Sequence, residues 1–250
     1  MQVQSLSRTF DILEILSKEQ KGLSLTDISN AVDLHKSTVY RLLSSLMERG
    51  YIEKRDTKYR LGLEFVELCS IYLNSLELKT EAEPVLRDLS MITSQIAFLA
   101  IMTEKEIVYI DKMENYNSMR KYSIIGQRRP AYCTSLGKAF LMGMTDDEVR
   151  EFMKTEKMVS VTPTTICDID ELLENVELSR KRGWALDNEE FEENIRCIGA
   201  PIYDYRGVTI AAVSSAWYVN VSQNKYLEKT AAHVMEAAAE ISKRMGYRGR

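Results

Sequence analysis

Apolar positions recur at helical spacing over the first fifty residues of the chain, and a period of two takes over directly afterwards. In residues 5–19, "SLSRTFDILEILSKE", the positions Phe10, Ile12, Leu13, Ile15 and Leu16 gather on one side and predict an amphipathic helix. "SLTDISNAV" at 24–32 predicts a second, short helix with Ser24 or Thr26 as its N-cap and Leu25, Ile28, Ala31 and Val32 on the apolar side. Asp33 and Leu34 leave room only for a tight turn. A third helix follows, with Val39, Leu42, Leu43, Leu46 and Met47 apolar and Gly50 as the C-terminal stop. "YIEKR", "DTK" and "YRLGL" then alternate apolar with polar and predict a hairpin.

The next stretch, 63–77, is apolar at Phe65, Val66, Leu68, Cys69, Tyr72, Leu73 and Leu76. That stripe is too wide for a spacer. It is expected to pack against a second copy of the chain or against its own body. From Thr80 the pattern changes. Helices are expected at 80–94, with Pro84 in the first turn, at 134–144, at 145–153 capped by Thr145, at 168–183 ended by Gly183, and at 222–247. Strands are expected at 95–103 and 106–113, joined by a turn at Glu104 and Lys105, and at 118–125, 184–191, 195–204 and 208–219. This predicts a mixed domain, an antiparallel sheet with helices on one face and a cupped other face, as in small-molecule sensors. The expected divisions are 1–62, a connecting helix at 63–79, and 80–250.

Charge sharpens the first division. Residues 1–62 hold 10 Lys/Arg against 8 Asp/Glu, and 63–250 hold 23 against 29, so a head of +2 precedes a body of −6 in a chain of net charge −4. Within the head, the polar face of the third helix carries Lys36, Ser37, Tyr40, Arg41 and Ser44, with no acid before Glu48. Helix, helix, tight turn, helix, hairpin is the order of a winged helix-turn-helix, whose second turn helix enters the DNA major groove N-terminal end first. Lys36 and Arg41 then meet phosphates or guanine edges. Ser37 and Thr38 bond phosphate oxygens, Tyr40 reaches a base or sugar, and Arg55 and Lys58 at the hairpin tip touch the backbone.

Composition narrows the rest. With 45% apolar and 28% charged residues, and no run of about 18 apolar positions, neither a membrane span nor a signal peptide is expected. The four cysteines are widely spaced and the histidines number two, so reduced thiols in a cytoplasm are expected and no metal site or cofactor is. No nucleophile elbow, P-loop, Gly-rich dinucleotide turn or HExxH occurs, and catalysis is not expected.

Two segments of the body are candidates for a ligand. In "RRPAYCTSLGKAF", at 128–140, Thr134 or Ser135 caps a helix beginning near Leu136, whose free N–H groups suit a small carboxylate; an ordinary capped helix packed on the sheet is the alternative. In "ALDNEEFEENIRCIGAPI", at 185–202, Asp187 ends one strand and Cys197 begins the next. The acidic run Asp187, Glu189, Glu190, Glu192, Glu193 is expected to be a solvated loop rather than a metal site. Ser214 and Ser215 are adjacent strand positions, of which one is expected to face inward and need a partner.

Eight segments in order carry a resemblance: "SLSRTFDILEIL", "LTDISNAVDLHKSTVYRLLSSLMERGYI", "YRLGLEFVEL", "YIDKME", "GQRRPAYCTSLGKAFL", "TPTTICDIDELLENVELSRKRGWALDNEE", "CIGAPIYDYRGVTIAAVSSA" and "RMGY". Together they resemble the IclR family of bacterial transcriptional regulators over nearly the whole chain. The resemblance implies an α+β protein, with an N-terminal winged helix-turn-helix joined by a dimerising linker helix to a GAF-like effector-binding domain. It implies a dimer or tetramer on a palindromic or pseudo-palindromic double-stranded DNA operator, and a small organic or aromatic acid as effector. Carried over by position, the pocket is lined by Ser135, Leu136, Asp187, Cys197 and Ser214. The chain departs from the family at Ser135, which adds a hydroxyl, and at Ala216 and Trp217, which replace a serine and a glycine; Trp217 is placed to narrow or cover the pocket. A ligand-responsive regulator, expected to be a repressor of a catabolic operon, is the reading. The alternative is a DNA-binding architectural protein or a protein-interaction module without an effector.

Overall fold

The structure is a computed structural model that describes residues 3–19, 21–74, 76–114, 125–219 and 227–249. The chain divides into two compact units, 1–75 and 76–250.

The first unit contains α1 (Gln4–Lys18), β1 (Leu23–Ser24), α2 (Leu25–Ala31), α3 (Lys36–Glu48), β2 (Ile52–Arg55), β3 (Lys58–Leu61) and α4 (Glu64–Asn74). Ser24 caps α2 in a reciprocal box with Asp27, which answers two of the helix's orphan N–H groups. Asp33 takes a positive φ of 50° between α2 and α3, and Gly50 one of 76° after α3. Ile12, Leu16, Ile28, Val39, Leu43, Ile52 and Tyr59 form one buried cluster, so α1, α2, α3 and the hairpin share a core. The two-residue β1, absent from the sequence pattern, adds to the hairpin in the order β1-β3-β2. On α4, Val66, Leu68, Ile71 and Tyr72 are exposed, and Phe65 packs edge-on to Tyr51 with ring centroids 5.3 Å apart.

The second unit contains α5 (Glu77–Thr93), β4 (Ile96–Thr103), β5 (Glu106–Met113), β6 (Arg128–Pro130), α6 (Ser135–Leu141), α7 (Asp146–Met153), α8 (Ile169–Arg182), β7 (Ala185–Asn188), β8 (Ile195–Tyr203), β9 (Thr209–Tyr218) and α9 (Leu227–Arg244). One antiparallel sheet runs β6-β5-β4-β9-β8-β7. The strand expected at 118–125 lies outside the described residues except for Ile125. Among the described residues no helix is long and apolar enough to cross a membrane.

Three expectations are corrected. Glu77–Lys79 are helical with α5, so Pro84 lies inside the helix rather than in its first turn; its ring is exposed, and without an N–H it cannot donate to the carbonyl of Thr80. The cupped face of the sheet is not open at its centre, because α6 lies there, buried along its whole length, while α5 and α9 cover the opposite face. With both faces covered, Ser214 and Ser215 are both buried, pointing opposite ways.

Candidate functional site

Two surfaces carry the candidate chemistry. On α3, Lys36, Ser37, Tyr40 and Arg41 are exposed and Thr38 is half-buried, while Val39 and Leu43 turn into the core. Positions four apart share a face, so Lys36 stands beside Tyr40 and Ser37 beside Arg41. His35 occupies the N-cap without a side-chain capping bond, leaving the first N–H groups of α3 for an outside acceptor. At the hairpin, Arg60 pairs with Glu53 across the strands, and Arg55 lies 3.7 Å from the same carboxylate. Arg55 and Lys58 are paired directly across the tip and are exposed.

The second surface is the α6 face of the sheet. Register defines it. Asp187 pairs with Cys197, Cys197 with Ala216, Gly199 with Ser214, and Ser214 with Phe98. Residues paired directly across antiparallel strands point the same way, so Asp187, Cys197, Ser214, Phe98 and Ala216 share one face. The start of α6 presses on it at Gly199, where an added Cβ would stand 2.6 Å from the carbonyl oxygen of Ser135 and 3.1 Å from the nitrogen of Leu136. All five residues expected to line a pocket therefore converge. Leu136 also belongs to the hydrophobic cluster with Phe98, Tyr109, Ala139 and Phe140. Trp217 does not face this side. It alternates with Ala216, is buried, and points with Ser215 toward the α5 and α9 face, so the expectation that it covers the pocket is corrected.

Thr134 caps α6 by accepting from the Gly137 nitrogen at 3.2 Å and donates to the Pro130 carbonyl at 2.9 Å. Lys138 is fully buried, and its Nζ donates to Glu190 Oε1 at 2.6 Å. The same oxygen accepts from the Asn188 nitrogen at 3.2 Å, and Glu190 Oε2 is buried without a partner among the described residues. Asp187 Oδ1 accepts from the nitrogen of Glu190 at 2.8 Å and of Phe191 at 3.4 Å. Burial pushes the Asp187 carboxyl up to about 7 against the opposing pull of Lys138. Burial likewise raises the Cys133 thiol to about 12 and the Tyr109 phenol beyond its ordinary range. The acidic run is thus not uniformly solvated: Asp187 and Glu190 are buried, and Glu189 lies 3.6 Å from Arg196.

Residue-level reading of the sequence missed the brace on this loop. Thr162 and Thr164 donate to the Glu189 carbonyl at 2.7 and 2.8 Å, and Thr165 donates to the Glu190 carbonyl at 2.7 Å. Four clustered hydroxyl and proline positions, "TPTT", were the available signal. Lys138 was visible as a lone charge within "SLGKAFL". Among the described residues no group of three or more His, Cys, Asp or Glu could hold a metal ion.

Comparison with known proteins follows the same division. A model of the IclR helix-turn-helix domain matches residues 5–56, and one of the bacterial transcriptional regulator IclR C-terminal domain matches 70–243. The chain is 35% identical to the HTH-type transcriptional regulator KdgR of Escherichia coli K12, over 98% of this chain and 94% of that one. The crystal structure of the Thermotoga maritima IclR matches with a TM-score of 0.84 at 31% identity, over 98% of this chain and 99% of that one. An IclR homolog from Microbacterium hydrocarbonoxydans, complexed with 4-hydroxybenzoate, shares the fold with a TM-score of 0.83 at 22% identity, over 96% and 98%.

Proposed function

This chain belongs to the IclR family of bacterial transcriptional regulators, and we propose that it represses a catabolic operon until a small organic or aromatic acid binds its second unit. Its first unit is a DNA-binding helix-turn-helix domain. Relatives are regulators and repressors, which sets aside the architectural reading. The observation that carries the DNA half is the exposed donor set Lys36, Ser37, Tyr40 and Arg41 on one face of α3, backed by a buried apolar face. Arg41 reads a base edge, Lys36, Ser37 and Thr38 hold phosphates, Tyr40 meets a base or sugar, and Arg55 and Lys58 flank the duplex.

The effector half rests on the polar row set into an apolar face: Ser214, Cys197 and Asp187 beside the start of α6 at Ser135 and Leu136. The 4-hydroxybenzoate bound by the Microbacterium relative supports an acid of that size. The exposed apolar positions of α4 suit a second copy, so α4 serves as the dimerising linker expected at 63–79, shortened because 77–79 belong to α5 of the sensor. The working form is a cytoplasmic dimer or tetramer on a palindromic or pseudo-palindromic operator, without a cofactor. The effector acts only through a preference for one arrangement of the reading heads, since equal affinity for both changes nothing.

The test is selection of genomic DNA fragments by the purified protein, with sequencing of those retained at moderate salt. A short inverted repeat is expected, lost in Arg41→Ala. Retention without sequence preference, or none at any salt, would refute the operator reading.

A further inference from the structure

The α6 face of the sheet is short of positive charge. Asp187 and Glu190 are buried there, and Lys138 is consumed by its contact with Glu190. A carboxylate entering this face meets two acids and needs a cation not already committed. Arg129 is placed to be that cation. It sits on β6, directly across from Ile107, and Ile107 faces α6 in the same cluster as Tyr109, Phe98 and Leu136. Its guanidinium carbon lies 4.7 Å from the centroid of the Phe191 ring. Phe191 follows β7, at the opposite edge of the sheet from β6, so the contact spans the curled sheet's two edges. Through its backbone nitrogen, Phe191 also bonds Asp187. Arg129 is half-buried, donates one N–H to the Arg128 carbonyl at 3.2 Å, and pairs with no carboxylate among the described residues. With one N–H given to the Arg128 carbonyl, the remaining guanidinium donors can still meet a carboxylate two oxygens at a time.

We propose that Arg129 receives the effector's carboxylate, with Phe191 beside the guanidinium and the donors not given to Arg128 left to the ligand. This rests on the carboxylate reading of the preceding section and assigns the group that recognises the acid. The seven-residue α6 then shapes the pocket, and Ser214, Cys197 and Asp187 select the remainder of the molecule.

The experiment is calorimetric titration of the full-length protein with propanoate, lactate, benzoate and 4-hydroxybenzoate, each beside its neutral amide. The wild type is expected to bind at least one acid and to prefer it over its amide. Arg129→Gln is expected to lose about 10- to 100-fold in affinity for that acid and to bind acid and amide alike. Arg129→Lys is expected to lose about tenfold while still preferring the acid, because a point charge replaces the fork. A wild type that binds none of the four acids overturns the carboxylate reading, and this assignment with it. A wild type that binds an acid, and an Arg129→Gln protein that binds it equally well with the same preference over the amide, overturns Arg129 alone. Should the glutamine variant fail to fold, wild-type affinity in Arg129→Lys does the same.

Discussion

Two short helices begin with much the same polar residues and meet opposite fates. α3 opens on Lys36, Ser37 and Thr38; α6 opens on Ser135 behind Thr134 and carries Lys138. Lys36 stands in water, whereas Lys138 is fully buried against Glu190. α3 presents its donors because only one of its faces is covered. α6 lies in a curled sheet, so even its hydroxyls and its one charge must find partners inside. A solvated lysine contributes through long-range attraction to phosphates and is screened by salt. A buried one is committed to a single partner, because an unpaired charge in the interior is costly. The same residue types are therefore left open to an outside partner on one helix and lock a loop on the other.

The largest expected effect strikes that lock. Lys138→Ala leaves Glu190 buried and uncompensated, and should cost about 3–5 kcal/mol in urea denaturation. Lys138→Met with Glu190→Leu should recover much of it, and a single variant of wild-type stability would show that the pair carries no such weight. Asp187 supplies a pH test. Its folded carboxyl titrates near 7 against an ordinary 3.8, so the folded state binds the proton more tightly than the unfolded one. Its contribution is then neutral below about 4, and stability falls as pH rises from there to about 7. Asp187→Asn, which keeps the oxygen that accepts from Glu190 and Phe191, should flatten that fall and be the more stable protein at pH 8. An unchanged pH profile would count against burial as the cause.

On α3 the expected effects concern DNA and spare stability. Arg41→Ala should cost about 1–3 kcal/mol of operator affinity and relax one base position, whereas Lys36→Ala should weaken all sequences alike and reduce the salt slope by about 1. Melting temperatures of both variants should match the wild type; a large drop would place either side chain in the fold rather than on DNA. The caps separate the helices further. Thr134→Ala should cost about 1–2 kcal/mol, since it uncaps a buried start. His35→Ser, supplying α3 with a cap it lacks, should raise stability by about 0.5–1 kcal/mol while altering the phosphate side of the groove. Equal and opposite responses are not expected, and finding them would erase the contrast.

Features governed by neighbours a few residues apart were legible in the sequence. The Thr145 cap closes over three residues, Ser24 was one of two caps the sequence offered for α2, Gly183 ends α8 at a φ of 85°, and the hairpin follows from strict alternation. The α3 donor face was legible because one helical period displays it. The pocket candidates Asp187 and Cys197 were found as strand ends, and the register pairs them. What was not legible joins distant segments. Lys138 and Glu190 are 52 positions apart, Thr165 and the Glu190 carbonyl 25, and Arg129 meets Phe191 across opposite edges of the sheet. An acidic run looks the same in sequence whether its members are solvated or buried.

The sequence by itself determined most of the helices and their stops, the hairpin, the longer strands and the donor-rich face of α3, because each depends on backbone and side-chain preferences within a turn or two of the chain; it left two caps between neighbouring hydroxyls and did not show the short β1 and β6. Only the tertiary structure decided which polar groups are buried. Covering both faces of the sheet turned Ser214 and Ser215 opposite ways into the interior, sent Trp217 to the face away from α6, and drew Lys138 and Glu190 together. The physical reason is that desolvation belongs to a place in the folded molecule and not to a residue type: where water is removed, each polar group must be answered by whatever distant segment arrives beside it.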